Sequence, residues 1–120
     1  MTQTTRTALT MFLLVALAIA TGLAQKPTPA ETQLKAAITK EVVDGDLPAA
    51  IKQYQTIVDK YGKTDRAVAA QALMRMGECY ERQGNAQSRK TYETLLRDFS
   101  DQKDLAAQAQ ARLAALGAGA

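Results

Sequence analysis

Histidine is the residue most often asked to move protons or hold metals, and this chain has none. Ser-His, Cys-His and His-metal arrangements therefore cannot be built within it. A single cysteine, Cys79, sits between Glu78 and Tyr80 at the edge of an apolar stripe. In that setting it reads as a small buried hydrophobe rather than as a reactive or intermolecular thiol. One cysteine also excludes an internal disulfide framework, so the fold must rest on packing. Glu78 and Glu81 are neighbours on one helix, and carboxylates at that spacing read as a solvated face. No glycine loop suited to phosphate occurs; each glycine falls at a helix end, at Gly77 within an apolar stripe, or in a segment expected to be flexible or removed. The expectation is a protein without catalytic activity, cofactor or metal.

The elements that position these residues are read from composition and period. Ala, Gln, Lys, Arg, Glu and Leu dominate beyond residue 25 and the β-branched residues are scattered, which predicts an all-α chain. Thr28-Pro29-Ala30-Glu31 has the form of a capping box with proline in the first turn and opens a helix running to about residue 44. Gly45 offers a left-handed turn and Asp46 an N-cap for a second helix over 47–61. Its stripe is Leu47, Ala50, Ile51, Tyr54, Ile57, Val58 and Tyr61, the three-and-four spacing of one buried face. Thr64 or Asp65 caps a third helix over 66–83 whose stripe is Ala69, Leu73, Met76, Gly77 and Tyr80. After Gly84-Asn85, a fourth helix covers 86–99. A fifth, capped by Ser100 or Asp101, carries Leu105, Ala109, Leu113 and Leu116.

The first segment reads differently. Residues 1–10 carry one charge, Arg6, and lead into the apolar run 11–20, which breaks at Thr21-Gly22. Gly22-Leu23-Ala24 places small residues where a signal peptidase reads, so residues 1–24 are expected to be a signal peptide and Gln25 the mature N-terminus. The alternative is an uncleaved anchor, but the strongly apolar part falls short of the roughly 20 residues a span needs. Residues 25–30 are then a flexible lead, 31–116 the helical domain and 117–120 a flexible tail. The mature form is not expected to span a membrane, and a periplasmic or secreted location follows. The formal net charge is +3, yet basic residues alternate with acids and form no run. No nucleic-acid partner is expected.

Self-similarity ties the elements together. Tyr54-Gln55-Thr56-Ile57-Val58 matches Tyr92-Glu93-Thr94-Leu95-Leu96, Tyr61 matches Phe99, and Ala69-Ala70-Gln71-Ala72 recurs as Ala106-Ala107-Gln108-Ala109. The period, roughly 37 to 39 residues, suits stacked helical hairpins. With Met76-Gly77 and Tyr80 on one helix, Gly84 in the turn that ends it, and Ala50 and Tyr54 on another helix, the chain resembles the tetratricopeptide repeat (TPR) family. More narrowly, it is similar to exported TPR modules of Tol-Pal accessory and outer-membrane assembly proteins. It departs from the pattern in lacking the usual loop proline after Tyr61 and Phe99, and in carrying Ser88 where alanine is usual.

The resemblance implies a TPR-like helical-hairpin solenoid of about two and a half hairpins, five helices in all, whose first helices line a concave surface. That surface would hold a protein or peptide partner and serve as an adaptor or scaffold of the cell envelope. By motif position its residues are Lys35 and Thr39 on the first helix. The third helix adds Gln71, Met74, Arg75, Glu78 and Arg82, with Met74 expected exposed and Met74, Arg75 and Arg82 expected to dominate binding. The alternative is a structural unit, self-associating or capping the end of a larger assembly through the C-terminal helix.

Overall fold

A computed structural model describes residues 25–118 of the chain. The expected signal segment lies outside the described residues. Five helices follow one another: α1 (Pro29–Val42), α2 (Leu47–Tyr61), α3 (Arg66–Arg82), α4 (Gln87–Asp98) and α5 (Lys103–Ala118). Each packs on its neighbours in sequence, and α3 also touches both α1 and α5. Two antiparallel hairpins, α1/α2 and α3/α4, are thus stacked and followed by the first helix of a third, as TPR-like packing requires. Among the described residues no helix is long and apolar enough to cross a membrane.

Local chemistry sets the helix ends. Thr28 accepts from the Glu31 amide at 3.2 Å while the Glu31 carboxylate receives the Thr28 amide at 2.7 Å, a complete capping box. Asp46 caps α2 by accepting from Ala49 N, and Asp65, not Thr64, caps α3 by accepting from Val68 N. Gly45 and Gly84 both adopt positive φ, at 65° and 64°. At the first of them Asp46 N–H bonds back to Lys40 O, which closes α1 at Val42, earlier than expected. Similar small shifts occur at α3, which stops at Arg82, and at α4, which opens at Gln87 with Asn85 Oδ1 accepting from the Gln87 amide at 2.9 Å. At α5 the correction has a larger cause. The Asp101 carboxylate is engaged by Arg66, and the helix opens beyond it at Lys103, then continues to Ala118 rather than stopping at 116.

The core runs the length of the stack. Tyr54, Ile57, Tyr92 and Leu95 from the second helices are almost fully buried, in one cluster with the alanines of α3. A Cβ on Gly77 would collide with the Tyr92 ring, with Cδ1 and Cζ each at 2.9 Å, so the helices meet there as closely as glycine allows. The third helix is buried on more than one side: Val68, Ala70, Ala72, Met74 and Cys79 join the expected stripe. Elements on both sides of α3 leave it little surface. This corrects the expectation for Met74, which is only 5% exposed.

Candidate partner-binding site

The faces of α1, α3 and α5 that adjoin one another carry most of the residues singled out by sequence, together with a set of charges that sequence did not single out. Glu41 of α1 is the centre of the first group. It occupies the position one turn beyond Ala37 and Ile38, on the apolar stripe, and its side chain is 4% exposed. Four side chains answer it. The Tyr54 hydroxyl donates to Oε2 at 2.8 Å, Arg75 Nη1 donates to the same oxygen at 2.7 Å, and the Cys79 thiol donates to Oε1 at 3.4 Å. Arg82 Nη1 stands 3.6 Å from Oε1 as a looser ion pair. A buried carboxylate is tolerated only when its charge and lone pairs are met, and here they are. Burial, reinforced by Glu41, pushes the Cys79 thiol up to about 12. The same two causes raise the Tyr54 phenol above its ordinary value.

A related arrangement recurs one hairpin on. Glu81 of α3 receives Arg112 of α5 through two guanidinium nitrogens, Nη2 and Nε, the latter at 3.0 Å, and the bond holds its carboxyl below the ordinary range. Tyr92, the repeat counterpart of Tyr54, lies beside this pair, but its buried hydroxyl meets neither partner at hydrogen-bonding geometry. Arg75 and Arg112 hold the same repeat position, 37 residues apart like Ala69 and Ala106. Each junction between successive hairpins is therefore tied by an acid on one first helix and an arginine on the next, with a tyrosine from the intervening second helix packed beside them.

Between α3 and α5 lies an open cleft of about 470 Å³, formed by Met74, Glu78 and Arg82 on one side and Gln108, Ala111 and Arg112 on the other. A smaller recess of about 230 Å³ continues it past Gln71, Arg75 and Leu105, sharing Met74, Glu78 and Gln108. The five residues expected on α3 thus do line one surface. Lys35 and Thr39 are exposed on α1 but line neither recess, and the Thr39 hydroxyl is spent on Lys35 O at 2.9 Å. Arg75 and Arg82 are not free groove cations, because both are drawn to Glu41. Glu78 is half-buried, and burial raises its carboxyl above the usual value. Cys79 is wholly buried, as a small core residue would be. On α5, Leu105, Leu113 and Leu116 pack against the core, and its exposed positions are alanines mixed with polar and charged residues.

Sequence reading missed Glu41, Glu81, Gln108, Ala111 and Arg112. A signal existed for the first: an acid at a stripe position. For Arg112 it was the repeat offset from Arg75. Among the described residues no group of three or more Cys, Asp or Glu is placed to hold a metal ion.

Residues 71–101, spanning most of α3, all of α4 and the turn that follows, match the model of the tetratricopeptide repeat family. The all-α hairpin stack fits that match. No curated protein and no solved structure matches the chain.

Proposed function

We propose that the chain is a non-catalytic interaction module that holds a peptide or protein partner on the concave face made by α1, α3 and α5, and that it works as an adaptor or scaffold in the cell envelope. The observation that carries this reading is the α3/α5 cleft, lined by both charge signs and a thioether, whose α3 wall belongs to the stretch 71–101 that matches a family whose repeats generally bind proteins. An open, elongated recess of this kind suits an extended segment or a helix better than an enclosed small molecule. Export rests on the apolar run 11–20 and the Gly22-Leu23-Ala24 ending, and the intact mass of the exported protein tests it by beginning, or not, at Gln25. Self-association through α5 has less support, since its leucines turn inward.

Replacing Arg75 or Arg82 by alanine does not report on binding alone, because it also strips charge compensation from buried Glu41. Photocrosslinking separates the two effects. A photoreactive residue at exposed Gln71 or Gln108 should capture a partner in cells, whereas the same residue at exposed Lys52 of α2 or Lys90 of α4 should not. Capture from α2 and α4 with none from Gln71 or Gln108 would move the binding surface to the other face and overturn the proposal.

A further inference from the structure

We infer that the α3/α5 cleft selects a basic segment of its partner, with a lysine or arginine side chain standing over Glu78 and apolar atoms beside it resting on Met74 and Leu105. This rests on the cleft being the partner surface. What singles out Glu78 is where its neighbours have gone. On a helix the natural partners of a carboxylate lie three and four residues away, and here those are Arg75 and Arg82. Both are turned across the helix interface to Glu41, Arg75 at 2.7 Å and Arg82 at 3.6 Å. The third arginine of the region, Arg112, is held through two nitrogens by Glu81. Three cations thus satisfy two acids. Glu78 is left with no hydrogen bond and no ion pair among the described residues, in the middle of a recess shared by both parts of the cleft.

Its surroundings define the complement. A carboxylate partly withdrawn from water gains from a charge-assisted bond more than an exposed one does. Met74 and Leu105 flank it with a polarizable thioether and a branched apolar chain, which suit the methylene stem of a lysine or arginine. An acidic segment would instead have to compete with Glu41 for Arg82 and with Glu81 for Arg112, while approaching Glu78 against like charge.

Selection of binders from a phage-displayed random dodecapeptide library on the full chain tests this. The expected outcome is enrichment of peptides with a fixed Lys or Arg, whose affinity falls about tenfold or more on Glu78→Gln, the change one charge-assisted hydrogen bond carries. Glu78→Gln keeps the side-chain shape, and an unchanged melt confirms its fold. Peptides enriched in Asp or Glu that survive Glu78→Gln and are lost on Arg82→Gln, in a variant whose melt matches that of the parent chain, would overturn the inference while leaving the cleft as the binding surface. Binders indifferent to both substitutions and to filling the cleft by Ala111→Trp, or no binders at all, would overturn both readings.

Discussion

At the scale of single residues, the organising feature is a carboxylate in the wrong place. Glu41 sits where the helical period calls for an apolar side chain, and the fold tolerates it by bringing a phenol, a thiol and two guanidinium groups to it. The consequence for pH is definite in sign. Cys79 in the unfolded chain ionises near its ordinary value of 9.0 and in the folded chain near 12, and Tyr54 and Tyr92 are raised from 10.0 in the same direction. A raised folded value means that the stabilisation is complete below the unfolded value and is lost as pH rises toward the folded one. Urea midpoints should therefore hold up to about pH 9 and fall steeply from there to 12, with a shallower fall for Cys79→Ala; the same slope in both proteins would show that the thiol is not shielded as described. Across the neutral range Cys79 should also stay unreactive toward a disulfide reagent until the chain is unfolded. The pairing of Glu41 was not legible in the sequence. Its burial was signalled by the spacing from Ala37 and Ile38, but its partners lie 13 to 41 residues away on other helices. Only the stacking of hairpins brings them in.

At the scale of elements, legibility followed the chemistry of helix ends and the simplicity of each helix's surroundings. The second helix was readable to its bounds because Asp46 caps it, Pro48 suits its first turn and its one buried face gives an unbroken stripe. The third was readable as a helix but not in its burial. A stripe rule assumes one packed face, whereas α3 meets helices on both sides, so Val68, Ala70, Ala72 and Met74 are covered as well. The start of α5 was misplaced because Asp101, a good cap by type, is taken up by Arg66. Gly77 was read as part of the apolar stripe, and the structure shows why glycine stands there, since the Tyr92 ring leaves no room for a Cβ. Gly77→Leu should lower stability by about 1–3 kcal/mol through overpacking. Thermal melts measure it, and a midpoint equal to that of the parent chain would mean that α3 and α4 separate there without penalty.

At the scale of the whole molecule, two kinds of tie run between hairpins. One is the acid–arginine junction on the α1/α3/α5 side. The other is Arg66, which donates to Asp101 through two nitrogens at 2.9 and 2.5 Å, reaches Asp98 O at 2.6 Å and Gly62 O at 3.1 Å, and lies 4.7 Å from the centre of the Phe99 ring. A single guanidinium thereby fastens the loop after α2 to the loop after α4. Hydrogen exchange should register its removal unevenly: in Arg66→Ala the amides of α5 exchange faster while those of α1 and the first half of α2 keep their protection. A uniform change along the chain would assign Arg66 to global stability instead. The acid–arginine junction also has a meaning for construction. The stretch 66–102 carries Arg75 to answer the acid before it and Glu81 to receive the arginine after it, so it is a tile with matching edges. Copied head to tail, each new seam would find its own counter-charge without any redesign, and the length of such a polymer would be set by the gene rather than by the chemistry of the joint.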